Sequence, residues 1–418
     1  MLKPVNVLIV GANFVNKGAE AMLLTVKREL LLKIEDVQFF MLCRSYEKEL
    51  AENKGIIPVF EDQHSLQAKI SVFADRVKGK IIKTITGKNK PYYFPFPFKQ
   101  IEKKIKKIDL IIDISGFAYS DSWGKPMVME TIRLLNFSKK HHSKFYFLPQ
   151  AWGSFNNPDV AKATAEMLNK SDKFYARDLV SQKYLASLLK KKTHEIPLLH
   201  DIVFAYEEEN VKTDVLLKTG YKKTNRLLIG ISPNLRVYEK GTTTGKDNDY
   251  IQLLLQLCYY CITTLQADVL FIPNEIFPLR QKDDRYVCKI LYEALNDRER
   301  SFILNDYYSA SEIKYCVSQV DFLISSRFHA LIFGLLHSKP VMAISWSHKY
   351  KELFSLFEME EFVLEWNAAD KESALMLLQN LVSKKEEVKN KISLRLPSLK
   401  SEVNRMFQNI AADVADHQ

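Results

Sequence analysis

The sequence predicts an α/β protein of two Rossmann-like domains facing across a cleft, and three observations predict it. At 418 residues the chain is long for one core and suits two domains of about 200 residues each. Short apolar runs alternate with amphipathic stretches in two separate series, the pattern of parallel strands joined by helices. A polar stretch, residues 207–225, breaks that rhythm and marks the boundary.

In the first series, residues 5–10 read as a strand, followed by a loop at 11–17. Residues 18–32 have helical spacing, with Ala21, Leu24, Val26 and Leu30 apolar against Lys27, Arg28 and Glu29. Further strands are expected at 37–42, 56–60, 109–114, 144–149, 173–176 and 195–199, with helices at 125–137, 158–170 and 179–189. The second series begins with a strand at 226–232 and a helix at 250–265. It continues with strands at 268–273, 301–304, 321–324 and 340–345, and with helices at 283–295 and 309–317. The expected domains are therefore 1–207, 226–370 and a helical tail, 371–418, able to pack back over the first domain.

A hydrophobic content of 47% and a charged content of 26% belong to a soluble globular protein. No uninterrupted apolar run reaches about 18 residues, so no membrane span is expected. Met1 to Val10 lacks the layout of a secretory signal, which places the protein in the cytoplasm. Cys43, Cys258, Cys261, Cys288 and Cys316 are scattered. Cys258 and Cys261 flank Tyr259 and Tyr260 inside a helical apolar pattern, and a zinc site needs about four ligands. They read as buried thiols.

The net charge of +10 is local. Residues 76–107 hold eleven Lys and Arg against Glu102 alone, so the rest of the chain is near neutral. Within this segment Pro91-Tyr92-Tyr93-Phe94-Pro95-Phe96-Pro97-Phe98 forbids a regular helix or central strand. Two readings stand: a solvated insertion with an aromatic clamp, or a loop meeting anionic headgroups at the inner face of the membrane. No nucleic-acid module accompanies it, and no nucleic acid is expected.

The densest chemistry is Ser325-Ser326-Arg327-Phe328-His329, between a strand and an apolar helix. Ligands of open α/β sheets bind outside the carboxyl ends of strands. Helix N–H groups favour an anion there, and Arg327 adds a fixed fork of donors. His329 can move a proton. Arg236, in Ser232-Pro233-Asn234-Leu235-Arg236, stands at a second strand end and can share one small dianion with Arg327. Lys349 and His348 follow a third strand, and Lys349 is a candidate to complete the anion site.

In the first series, Ser115 and Gly116 let the chain turn after a buried strand, and Asp121 is either a helix cap or a carboxylate serving a hydroxyl. Asn13 and Asn16, before a helix start, either hold polar ligand groups or cap that helix. Asp201 is a candidate hinge or cleft residue. The D-x-D at 247–249 is too short to count as a metal motif. No G-x-S-x-G, Walker loop or spaced His/Cys cluster appears, which argues against a hydrolase elbow, a P-loop enzyme and a structural zinc fold.

At these residues the chain resembles the polysaccharide pyruvyl transferase family, whose fold is similar to that of two-domain, GT-B-type glycosyltransferases. The likeness runs from about residue 5 to 355. Asn16, Gly18 and Glu20 match the family's Asn-x-Gly-x-Glu opening. Ser115 to Asp121 match its Asp-bearing glycine loop, and residues 149–155 match its Gln-x-x-Gly-x-Phe turn. Arg236, Arg327-x-His329, the block 339–345 and Lys349 complete the match. The chain departs from the family where Ile114-Ser115-Gly116 replaces three glycines and Trp152 replaces a small residue, both on the expected acceptor side.

The resemblance implies phosphoenolpyruvate as donor and a sugar of a surface polysaccharide (exopolysaccharide or capsule), or of its lipid-linked precursor, as acceptor. The product is then a pyruvate ketal. The first domain is implied as the acceptor side and the second as the donor side. Arg236 and Arg327 would hold the donor, His329 would protonate its methylene, and Asp121 would take the hydroxyl proton. Phosphoenolpyruvate is a co-substrate here, and neither a cofactor nor a metal is expected. Two alternatives are a nucleotide-sugar-dependent glycosyltransferase and a basic, membrane-associated scaffold without catalysis.

Overall fold

The computed structural model describes residues 4–60, 97–207, 214–279, 282–366 and 370–416. The chain divides into two compact units. The first comprises Met1–Ala12, Leu30–Leu199 and Asn409–Gln418, and the second comprises Asn13–Glu29 and His200–Gln408.

The first unit is built on six parallel strands: β1 (Val5–Val10), β2 (Val37–Cys43), β3 (Ile57–Phe60), β4 (Leu110–Asp113), β5 (Lys144–Gln150) and β6 (Lys173–Ala176). Their order is β3-β2-β1-β4-β5-β6, so the winding reverses between β1 and β4. The inner strands are buried on both faces, which is why Leu110-Ile111-Ile112 is a continuous apolar run instead of an alternating one.

The second unit repeats this plan with β7 (Leu228–Ser232), β8 (Asp268–Phe271), β9 (Ser301–Ile303), β10 (Phe322–Ser325), β11 (Val341–Ser345) and β12 (Val363–Glu365). The order β12-β11-β10-β7-β8-β9 puts its reversal between β7 and β10. These are the strands whose carboxyl ends lead to Arg236 and Arg327.

Most expected elements are present to within a residue or three, and the helices Pro158–Lys170 and Leu179–Leu189 coincide with their expected bounds. The strand expected at 195–199 is instead a 3-10 turn, Thr193–Glu195, followed by one bridge between Ala176 and Leu198. Pro197 has no N–H to extend a ladder, so pairing stops after one step. β12 was not anticipated, being three residues long. The tail forms the helices Lys371–Ser383 and Lys385–Ala415, and residues 409–415 of the latter cluster with the first unit. There Asp413 accepts a hydrogen bond from Tyr146 at 2.9 Å and pairs with Lys173.

Of the basic segment, residues 76–96 lie outside the described residues. Residues 97–107 supply the short helix Phe98–Lys104, whose Phe98 ring stacks on Phe137 at 5.0 Å. All five cysteines are buried. Among the described residues no helix is long and apolar enough to cross a membrane.

Trp152 is a core side chain of the first unit. Its ring stacks on Tyr119 at 5.2 Å, and its Nε1 donates to the Tyr175 carbonyl at 2.9 Å. Trp152→Phe keeps most of the apolar bulk but strands that carbonyl. A loss of about 1–3 kcal/mol is expected, read as a lower denaturant midpoint at unchanged slope.

Candidate functional site

β7 and β10 run side by side, with Ser232 opposite Ser325 at their carboxyl ends. β10 hands over directly to the helix Phe328–Leu336, with Arg327 at its N-cap position, and β7 leads into the short helix Leu235–Tyr238, which contains Arg236. The corner is held from several sides. The Ser326 carbonyl accepts from Tyr350 Oη at 2.6 Å, Asn234 Nδ2 at 3.0 Å and Trp346 Nε1 at 3.4 Å. Tyr250 Oη donates to Ser326 Oγ at 2.7 Å, and Arg327 N donates to Ser325 Oγ at 2.9 Å. So many bonds on three consecutive residues fix where the guanidinium can point.

Arg327 is buried between two carboxylates. Its Nη2 donates to Asp284 Oδ1, and its Nη1 lies 2.9 Å from Glu275 Oε2. Burial works against the charge, but Asp284 and Glu275 outweigh it and hold the guanidinium proton more tightly than usual. Glu275 also reaches Arg236, with Oε1 at 3.5 Å from Nη2. One carboxylate thus spans both arginines. The Arg236 side chain remains 56% exposed and pairs with Glu239 at 2.9 Å as well.

Asp284 is the hub of this arrangement. Its Oδ1 also accepts from Leu235 N at 2.9 Å, while Oδ2 accepts from Asn274 N at 3.1 Å and Glu275 N at 2.8 Å. A single buried carboxylate therefore ties the turn that carries Arg236, the turn that carries Glu275, and Arg327. The preceding residue, Asp283, caps the helix Asp284–Leu295 through Arg285 N.

His329 stands one step further along its helix. Its Nε2 is 3.5 Å from Asp201 Oδ2, a carboxylate able to orient the imidazole and stabilise its charged form. Asp201 also accepts from Val203 N at 3.0 Å. The opposite side of the ring is closed by the loop 13–18. A Cβ added to Gly18 would lie 1.9 Å from His329 Nδ1, so only glycine permits this approach. The loop is pinned by backbone bonds, Lys17 N to the Asn274 carbonyl at 2.9 Å and Ile276 N to the Val15 carbonyl at 2.8 Å. Beneath it lies buried Lys17, paired with Glu20 at 2.9 Å and set 4.2 Å over the Tyr307 ring. Burial pulls the Lys17 amine below its ordinary range.

The side-chain oxygens of Asn13 and Asn16 serve the chain itself. Asn13 Oδ1 accepts from Asn16 N at 2.8 Å, and Asn16 Oδ1 accepts from Gly18 N at 2.9 Å, capping the helix Lys17–Leu31. Lys349 lies against aromatic faces, 4.6 Å from the Trp346 ring centre and 5.3 Å from that of Phe328, next to Arg327 and His329 in sequence. In the D-x-D stretch, Asn248 caps the helix Asp249–Thr263.

The remaining candidates form a separate constellation in the first unit, at the carboxyl end of β4. Asp113 is buried and accepts from Tyr119 Oη at 2.6 Å, Ser115 N at 2.8 Å and Gln150 Nε2 at 3.2 Å. Burial pushes its carboxyl above the ordinary range, against those hydrogen bonds. Gly116 takes a positive φ of 72° and its carbonyl accepts from Ala151 N at 2.9 Å, joining this turn to the end of β5. Asp121 accepts from Ser154 Oγ at 3.0 Å, Asn156 N at 2.7 Å and Asn157 N at 3.1 Å. Its carboxylate is committed to fixing the loop 154–157.

The sequence matches the model of the polysaccharide pyruvyl transferase family over residues 16–348. No curated protein matches it by sequence. Among solved structures it is similar to the UDP-GlcNAc 2-epimerase of Neisseria meningitidis bound to UDP-GlcNAc, with a TM-score of 0.60 and 11% identity over 99% of this chain and 100% of the other. A glycosyltransferase from Rickettsia africae aligns with a TM-score of 0.55 and 13% identity over the full length of both chains. The UDP-GlcNAc 2-epimerase of Methanocaldococcus jannaschii aligns at 0.57 and 9%, covering 92% of this chain and 94% of the other. At such identities the likeness is one of fold, the GT-B-type pairing of two Rossmann-like sheets.

Proposed function

Because the chain belongs to the polysaccharide pyruvyl transferase family, we propose that it transfers the enolpyruvyl carbon skeleton of phosphoenolpyruvate to a sugar, closing a pyruvate ketal. The acceptor on this reading is a sugar of a surface glycan or its lipid-linked precursor. One observation carries the donor assignment. Glu275 already bridges Arg236 and Arg327, so both guanidinium groups reach a single carboxylate-sized anion. The donor's carboxylate or phosphate takes up the same kind of contact with the same donors.

Chemistry then follows from the groups beside that anion. His329, oriented by Asp201, gives a proton to the donor methylene, and the central carbon becomes electrophilic. The first sugar hydroxyl attacks that carbon and returns a proton to the imidazole. The C–O bond to phosphate breaks, with the arginines stabilising the charge that develops. A second hydroxyl closes the ring. Of the two hydroxyl protons lost, one ends on the new methyl group and one on the departing hydrogen phosphate. The turn of Ser115 and Gly116 in the first unit is assigned to the sugar, with Asp121 positioning the loop beside it.

The deciding experiment incubates the protein with phosphoenolpyruvate and a panel of free and lipid-linked oligosaccharides. Release of phosphate together with a mass gain of pyruvate minus water supports the assignment. Turnover of a nucleotide sugar, with phosphoenolpyruvate inert, replaces it with glycosyl transfer.

Two substitutions probe the parts. Gly18→Ala drives a methyl into the imidazole, and a displacement near 1 Å is expected to lower the kcat of the folded enzyme by roughly 10²-fold, beside a loss of about 1–3 kcal/mol of stability from overpacking. An unchanged kcat would remove His329 from the proton transfer. Glu275→Gln removes the charge that competes with the donor, and a several-fold lower KM for phosphoenolpyruvate is expected. A higher KM would instead make Glu275 a positioning partner of Arg327.

A further inference from the structure

A cavity of about 410 Å³ lies in the second unit, away from the arginine corner. Leu228 at the start of β7 and Asp321 just before β10 are part of its wall. It therefore opens at the amino ends of the two strands whose carboxyl ends lead to Arg236 and Arg327. Nothing in the proposed reaction uses it. Its volume falls within the range of about 300–1,000 Å³ typical of small-molecule sites.

The lining divides into two kinds of surface. Leu216, Leu217, Tyr221 and Tyr315 give an apolar and aromatic wall, and Leu217 at the rim is 69% exposed. Lys223, Arg226 and Lys339 face one carboxylate, Asp321. Arg226 is already neutralised, its Nε donating to Asp268 Oδ1 at 2.7 Å. Asp321 spends one oxygen on Leu228 N at 2.8 Å. Among the described residues neither Lys223 nor Lys339 has a side-chain hydrogen bond or an ion pair. Lys339 is half-buried: burial, with Lys389 and Lys223 nearby, works against its charge, and the attraction of Asp321 offsets this only in part. An ammonium group held in a partly dry pocket with a carboxylate nearby but no direct hydrogen bond to it is costly, and an anion in contact would relieve that cost.

The geometry points to a second anion site here, which takes a phosphate group carried on an apolar or planar body. The phosphate meets Lys223 and Lys339, and the body lies along Leu216, Leu217 and the two tyrosine rings. Such a ligand has two chemical sources, a nucleoside phosphate or an isoprenoid phosphate.

Calorimetric titration of the full chain with uridine monophosphate, farnesyl phosphate and inorganic phosphate tests the site and separates the sources. Saturable one-site binding of one organic phosphate, tighter than that of inorganic phosphate, is expected. Lys339→Gln should weaken it about tenfold or more. Lys223→Gln, on an exposed side chain whose replacement leaves the fold undisturbed, should weaken it as well, and Leu217→Glu should do so by like-charge repulsion at the rim. Phosphoenolpyruvate saturation should be unchanged in all three variants. The site is overturned if neither organic phosphate binds more tightly than inorganic phosphate. It is overturned equally if binding survives all three substitutions, or if it is lost in Arg327→Lys and kept in Lys339→Gln.

Discussion

Replacing Arg327 by lysine is expected to raise the KM for phosphoenolpyruvate by roughly 10²-fold or more, with a far smaller change in stability. A lysine keeps a positive charge beside Asp284 and Glu275 but offers a point where arginine offers a planar fork. In this site the fork matters because its two Nη atoms face different groups, Asp284 on one side and Glu275 on the other. An ammonium satisfies the first only by withdrawing from the second. The variant should therefore hold the buried carboxylate and lose its grip on the position a donor anion takes. Steady-state kinetics across a donor titration, beside a thermal melt, tell the two roles apart. A large fall in melting temperature at unchanged donor saturation would make Arg327 a structural ion-pair partner and take the donor site elsewhere.

The elements of the fold were legible because a parallel sheet covered on both faces writes itself as apolar runs separated by amphipathic helices. Arg327, His329 and Arg236 could be picked out for a related reason: each stands just past the end of such a run. What one strand end does with another depends on strand order, which the sequence does not carry. The neighbouring of β7 and β10 converts two scattered arginines into a pair. Asp284 has an ordinary explanation in capping, being at a helix start, and Glu275 stands in a loop with no pattern around it to single it out. The adjacent pair Asp283-Asp284 was the available signal, since one residue suffices as a cap and the other is free to reach outward. Asp201 was read as a hinge or cleft residue, and its approach to His329 needs the folded chain to be seen. Asn13, Asn16 and Asp121 show the reverse. Each had two readings, and in each the backbone takes up side-chain oxygen lone pairs.

Asp284→Ala is expected to be the most damaging single change in the second unit, costing about 3–5 kcal/mol. The carboxylate is fully buried and accepts four hydrogen bonds, three from backbone N–H groups of Leu235, Asn274 and Glu275 and one from Arg327. Alanine leaves those three donors without their acceptor and Arg327 with a buried charge compensated only by Glu275. The two turns that bring Arg236 and Glu275 together would lose their common anchor. Chemical denaturation should show a lower midpoint, and the folded fraction should bind phosphoenolpyruvate more weakly than wild type. Asp284→Asn separates charge from geometry. Its amide oxygen can still accept from two of the N–H groups, but its amide nitrogen meets donors where the second carboxylate oxygen stood. Stability between those of wild type and Asp284→Ala is expected, with donor binding as weak as in the alanine variant. If Asp284→Ala instead unfolds at the wild-type midpoint and binds donor normally, the corner is held by the Ser326 network alone, and Glu275 and Arg236 find each other without it.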